Sequence, residues 1–174
     1  MGALRRQAAC PTSPSFTGTQ WVGERVQFRV CANEVYVRPR GLVLYGATRL
    51  GKTVWARSLG PHAYFGGLFN ADELDEQSAR YAIFDDIAGG FGYVPSYKNW
   101  MGGQFEFTIT DKYRKKRSIR WGKPTIWVCN TDPRLDWYKP GSSPDFEWME
   151  QNCDFVELSR AIFHASTGTP QPEV

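Results

Sequence analysis

Residues 42–59 constrain this chain more than any other stretch. Leu42-Val43-Leu44-Tyr45 is a short apolar run ended by Gly46, and a helical pattern follows through Thr53, Trp55 and Leu59 to Gly60. Between them, Gly46-Ala47-Thr48-Arg49-Leu50-Gly51-Lys52-Thr53 matches the pattern G-x-x-x-x-G-K-[ST]. Glycine lets such a loop close tightly, so that successive backbone N–H groups point at one phosphate cluster. The helix that follows turns its positive end toward the same anion. Lys52 is then placed to pair with the β- and γ-phosphates of ATP, and the Thr53 hydroxyl to hold Mg²⁺. The ordinary alternative is a glycine-rich turn carrying an exposed lysine. The apolar strand before the loop and the helix after it are the context that the phosphate-binding reading demands.

The rest of the chain extends an α/β pattern from Gly41 onward. Tyr81-Ala82-Ile83-Phe84 reads as a second buried strand ending at Asp85-Asp86. Residues 104–110 alternate, with Phe105, Phe107 and Ile109 expected to face inward, and Ser118 to Trp121 can return as an antiparallel partner. Pro124 opens a third buried strand, Thr125 to Cys129, which ends at Asn130. A helix over 144–151 and a last strand over Cys153 to Leu158 complete a P-loop domain expected at 41–158, with a central, mainly parallel sheet flanked by helices. Residues 1–40 are poorly defined: 10–20 read as a flexible lead-in and 25–30 as a short strand without an evident partner. Residues 159–174 read as a tail, and no internal repeat is visible.

Composition excludes several classes. No run of about 18 apolar residues exists, so a spanning helix and a membrane partner are not expected. The four cysteines are scattered and only two histidines are present, which argues against a disulfide scaffold or structural zinc site and for a reducing, intracellular compartment. The formal net charge of +3 conceals a local concentration. Seven of the 21 basic residues (Lys112, Arg114, Lys115, Lys116, Arg117, Arg120 and Lys123) fall between 112 and 123.

Three further features carry candidate chemistry. A buried strand ending in two acids is what a metal-assisted phosphate hydrolase requires, with Asp85 on Mg²⁺ and Asp86 orienting water; strands also end in aspartate simply because it turns well. Asn130, at another strand end, can contact phosphate and water without adding charge, or can be a turn residue. The basic cluster suits a phosphate backbone, with Tyr113 and Trp121 able to stack bases, or is a solvated loop. Tyr113 also begins a Y-x-x-K pattern of nucleases that cut single-stranded DNA. That chemistry needs a paired-histidine metal site, and neither His62 nor His164 has a nearby histidine. Tyr113 is therefore assigned to the basic loop.

The order GATRLGKT, YAIFDDI, a Trp-rich loop, a basic hairpin and PTIWVCN resembles superfamily 3 helicases. It is similar, over about residues 41–158, to the helicase region of replication-associated (Rep) proteins of small circular single-stranded DNA viruses, especially the genomovirus and geminivirus branch. The resemblance implies an AAA+-like ATPase that assembles as a homo-oligomeric ring, commonly a hexamer, and moves on single-stranded DNA in the host nucleus during rolling-circle replication. Its catalytic residues map onto Lys52, Asp85, Asp86 and Asn130, its metal site onto Thr53 and Asp85, and its DNA-gripping hairpin onto about Gln104 to Lys123. Within that hairpin Lys112, Tyr113, Arg114, Lys115, Lys116 and Arg117 are the expected DNA contacts.

Two departures qualify the match. Residues 1–40 show neither the nuclease domain nor the oligomerisation segment of full-length Rep proteins, so nicking is not assigned and a partial product is expected. The helix after Asn130 also lacks the arginine that related helicases insert into a neighbour's site, leaving Arg134 and Arg160 as substitutes. Two rival functions share the phosphate loop: a fragment that binds ATP and DNA or joins Rep oligomers without turnover, and a small-molecule kinase.

Overall fold

The computed structural model describes residues 38–110, 115–135 and 145–162. Five strands, β1 (Gly41–Tyr45), β2 (His62–Gly66), β3 (Tyr81–Asp85), β6 (Thr125–Cys129) and β7 (Cys153–Glu157), form one parallel sheet in the order β2-β3-β6-β1-β7. Two more, β4 (Glu106–Ile109) and β5 (Arg117–Arg120), pair antiparallel as a separate hairpin. The expected α/β architecture with a central parallel sheet is therefore present. Every residue of β1 and β3 is buried, as strands covered on both faces must be, which is why they read as continuous apolar runs.

The two faces of the sheet bury different sets of side chains. Leu42, Leu44, Ile83, Ile126, Val128 and Val156 form one face, covered by α1 (Lys52–Ser58) through Ala56. Val43, Phe65, Phe84 and Trp127 form the other, beneath α2 (Tyr97–Met101), α3 (Phe146–Asn152) and the hairpin. The second core is dominated by aromatic rings. Trp100 on α2 is fully buried and meets Phe65, Phe84, Phe107 and Trp121 with ring centroids 5.8, 5.5, 5.1 and 5.1 Å away. These pairs are mostly edge-to-face, which suits the ring quadrupoles. The Thr125 hydroxyl donates to the Trp100 carbonyl at 2.9 Å and ties α2 to the centre of the sheet.

Arg40 fixes the opposite border. Its guanidinium donates to the Gln151 and Cys153 carbonyls at 2.5 and 2.8 Å, satisfying groups at the C-terminal end of α3, and pairs with Asp154 at 2.8 Å. Arg40→Ala is expected to lower unfolding free energy by about 1.5–3 kcal/mol, the range for hydrogen bonds to charged groups. Urea denaturation followed by tryptophan fluorescence measures it, and Arg40→Lys should recover only part, having lost the planar fork.

Several expectations need correction. β2 and α2 were not anticipated: the former is five residues of edge strand containing His and Gly, the latter little more than one turn. Phe105 precedes β4 and is 52% exposed rather than inward, whereas Phe107 and Ile109 are buried as expected. Trp121 is 3% exposed in the aromatic core, so it is not available to stack bases. The short strand expected at 25–30 and the tail from 163 onward lie outside the described residues.

Candidate active site

Parallel pairing brings the C-terminal ends of β1, β6 and β3 to one edge, with β6 in the middle. Tyr45 stands opposite Cys129, and Val128 opposite Asp85, so Gly46, Asn130 and Asp86 emerge side by side. Asp86 extends the ladder by donating its N–H to the Val128 carbonyl at 3.0 Å, although its backbone has turned to φ 46°. Aspartate is among the few residues that tolerate the left-handed region, and the turn frees its side chain from the strand's alternation.

The glycine loop joins β1 to α1. Gly46 adopts φ 143°, and a Cβ there would collide with the Leu158 carbonyl oxygen. Leu158 also donates its N–H to the Tyr45 carbonyl at 2.8 Å, and Ile162 donates to Leu50 at 3.0 Å. The segment after β7 thus braces the loop from outside. Gly51, at φ 85°, gives the left-handed turn needed immediately before α1. Of the other loop residues, Ala47, Thr48 and Arg49 are exposed, while Leu50 packs partly against the core and Thr53 is half-buried.

Lys52 is buried, not exposed as a plain glycine turn would leave it. Its ammonium donates to the Gly46 and Ala47 carbonyls at 2.7 and 2.8 Å and to Asn130 Oδ1 at 3.2 Å. Asn130 passes the contact on, its Nδ2 donating to both carboxylate oxygens of Asp86 at 3.1 Å. Burial pulls the Lys52 ammonium below its ordinary range, and the carboxylates of Asp86 and Asp85 oppose that pull. Asp85 is buried and accepts a hydrogen bond from the Tyr64 hydroxyl at 2.8 Å, whereas Asp86 is exposed. The Tyr64 phenol is raised above its usual range by burial and by Asp85, which keeps it protonated as a donor. Lys52, Asp85, Asp86 and Asn130 are therefore gathered at one edge, joined there by Tyr64, which sequence reasoning missed.

The basic cluster divides. Arg117 donates to the Ala71 carbonyl at 3.1 Å and lies 3.8 Å from Glu76. Lys123 donates to the Glu76 and Ala79 carbonyls, and burial lowers its ammonium, so it anchors the loop before β3. Arg120 faces Glu106 across the hairpin at 3.6 Å. Lys115 and Lys116, just before β5, are exposed. Lys112, Tyr113 and Arg114 lie outside the described residues.

Arg134 does not suit the role of an arginine reaching into a neighbouring site. It forms a forked pair with Asp132, donates to the Tyr45 hydroxyl at 3.3 Å, approaches Glu150 at 3.5 Å and lies over the Phe155 ring at 4.7 Å. The hydrogen bonds to Asp132 raise the Arg134 guanidinium further above its already high range and hold the Asp132 carboxyl below its own. Arg160 is exposed just beyond β7.

Fold and site define a parallel α/β protein with a lysine-bearing glycine loop and paired carboxylates at one sheet edge. No protein-family model matches the chain. It is 44% identical over 117 residues to the replication-associated protein of Bean yellow dwarf virus, a match covering 67% of this chain and 34% of that protein. With the replication-associated protein of Tobacco yellow dwarf virus (strain Australia) it shares 43% over 112 residues, 64% of this chain and 32% of the relative. With that of Maize streak virus genotype C (isolate Set) it shares 36% over 145 residues, 82% of this chain and 40% of the relative. The chain is thus a relative of viral replication-associated proteins, and it spans about a third of the length of the curated relatives it matches.

Proposed function

We propose that this chain is the ATP-driven motor segment of a viral DNA-replication protein, a superfamily 3 helicase domain that hydrolyses ATP to move on single-stranded DNA. The observation that carries the proposal is the continuous polar chain from the loop lysine through Asn130 to Asp86, assembled from the ends of three adjacent parallel strands. Ligands of α/β sheets bind at that edge.

The residues suit a nucleotide and Mg²⁺. Two carboxylates against one ammonium leave surplus negative charge for a divalent cation, and Mg²⁺ is ordinarily held by one or two carboxylates together with phosphate oxygens. Thr53 and Asp85 would hold it, and once bound it neutralises charge on the phosphate oxygens. Lys52 supplies the fixed positive charge at the loop for the β- and γ-phosphates. Asp86, exposed and oriented by Asn130, is the group placed to accept a hydrogen bond from the attacking water. Asn130 couples that carboxylate to the lysine without adding charge.

Lys115 and Lys116 are the described hairpin residues proposed to contact the DNA backbone. Their double alanine variant is expected to weaken single-stranded DNA binding and to flatten the plot of log affinity against log salt by about two units. Fluorescence anisotropy across a salt series measures both. Assembly as a ring and action in the host nucleus belong to the same proposal. With Arg134 engaged inside its own chain, Arg160 is the remaining described candidate for the arginine of a neighbouring site. The deciding experiment is steady-state ATP hydrolysis with and without single-stranded DNA. Stimulation by DNA supports the motor; binding of ATP and DNA without turnover would support the fragment that only joins or modulates other Rep subunits. Among the described residues, no helix is long and apolar enough to cross a membrane.

A further inference from the structure

Tyr64 lies on the edge strand β2, outside the glycine loop and the strand ends that carry the candidate site. Its side chain shares the α1 face of the sheet with Ile83 and Asp85. In the β2–β3 register Tyr64 stands opposite Ile83, and Gly66 opposite Asp85. To reach Asp85 the phenol must therefore run along its own strand, over residue 66. Gly66 leaves that path open: a Cβ there would lie 2.9 Å from the ring and 3.1 Å from the hydroxyl oxygen. The hydroxyl then donates to Asp85 Oδ2 at 2.8 Å. The ring is held from outside by Arg57 of α1, whose guanidinium sits 4.4 Å from the ring centroid. α1 is also the helix that begins with Lys52 and Thr53.

We propose that Tyr64 is a positioning residue for Asp85, with Gly66 clearing its path and Arg57 clamping its ring to the helix that carries Thr53. The inference rests on the function proposed above and deepens its metal site. A carboxylate at a strand end can rotate about its side-chain torsions, and one fixed hydrogen bond removes that freedom. Asp85 Oδ2 is committed to the phenol, so Oδ1 is the oxygen that would hold Mg²⁺. Losing a group that orients a ligating carboxylate typically costs about 10–100-fold in metal affinity or activity. The arrangement also links the two expected metal-site residues, since Arg57 and Thr53 ride on the same two-turn helix.

The test is equilibrium binding of a fluorescent, non-hydrolysable ATP analogue to the full chain, with Mg²⁺ varied and with EDTA. Tyr64→Phe retains the ring and its Arg57 contact while removing the donor. It is expected to leave binding in EDTA within about twofold and to raise the Mg²⁺ concentration for half-maximal enhancement by about 10–100-fold. Gly66→Ala, which displaces the phenol, should shift the same quantity in the same direction. Thermal melting of both variants checks that they remain folded. Asp85→Asn serves as the reference. If Asp85→Asn shifts the Mg²⁺ dependence and Tyr64→Phe does not, the positioning role is wrong while the ATPase proposal stands. If the unmodified protein binds the analogue with no Mg²⁺ dependence, both are overturned.

Discussion

Lys52→Ala is expected to reduce ATP turnover by at least about 10²–10³-fold, the loss typical when one preorganised charge-stabilising donor is removed. The magnitude follows from placement. The ammonium is buried and held by two loop carbonyls and Asn130, which fixes its charge at the loop, ready to exchange one of these bonds for a phosphate oxygen. Lys52→Arg should not rescue, because a planar guanidinium does not reproduce the compact ammonium that the Gly46 and Ala47 carbonyls hold. Steady-state phosphate release measures turnover, and binding of a fluorescent nucleotide separates lost affinity from lost chemistry. Turnover unchanged in Lys52→Ala would overturn the assignment of this loop to ATP. The variant should remain folded, since removing the lysine also removes a charge whose burial is unfavourable by itself.

Trp100→Ala should produce the largest loss of stability, about 3–5 kcal/mol. That is a large share of the roughly 5–15 kcal/mol available to a domain of this kind. The indole is fully buried at the meeting point of β2, β3, the hairpin and α2, so its removal leaves a cavity bordered by rings that cannot all collapse inward. Its Nε1 has no hydrogen-bond partner among the described residues, and the Trp121 Nε1 beside it shares that state. Trp100→Phe should therefore cost far less than Trp100→Ala, because it keeps most of the packing and removes an unpaired buried donor. Denaturant unfolding of the two variants separates these contributions. Equal losses would mean that the indole, rather than ring packing, holds the hairpin to the sheet.

The elements legible in the sequence were those whose signal is local. Leu42 to Tyr45, Tyr81 to Phe84 and Thr125 to Cys129 are continuous apolar runs because both faces of a parallel sheet are covered, and each is a strand in the structure. The glycine loop was legible because backbone geometry at Gly46 and Gly51 admits few other residues. β2 was not. His62-Ala63-Tyr64-Phe65-Gly66 has a weak alternation, with only Ala63 and Phe65 buried, and its pairing with β3 is non-local. The fate of the basic residues was equally hidden. Nothing in the run of charges distinguishes Arg117 and Lys123, which hold the loop at 71–79, from Lys115 and Lys116 ahead of β5. Trp121 and Phe105 exchanged their expected environments: β4 begins at Glu106, two residues after the alternation starts, which leaves Phe105 outside the strand, and the tryptophan falls beneath α2.

From sequence alone came the parallel α/β class, the loop at 46–53 and the carboxylates and amide at the strand ends, because each is written in residue types that only a few backbone environments accept. Tertiary structure decided which side chains meet. The strand order β2-β3-β6-β1-β7 places Asn130 between the lysine and Asp86, turns Tyr64 toward Asp85, and commits Arg134 to Asp132 and Tyr45. Apart from the Arg134–Asp132 pair, these contacts join residues 21 to 89 positions apart. Local periodicity contains no information about strand order, so the site's residues could be named from the sequence while its connections could not.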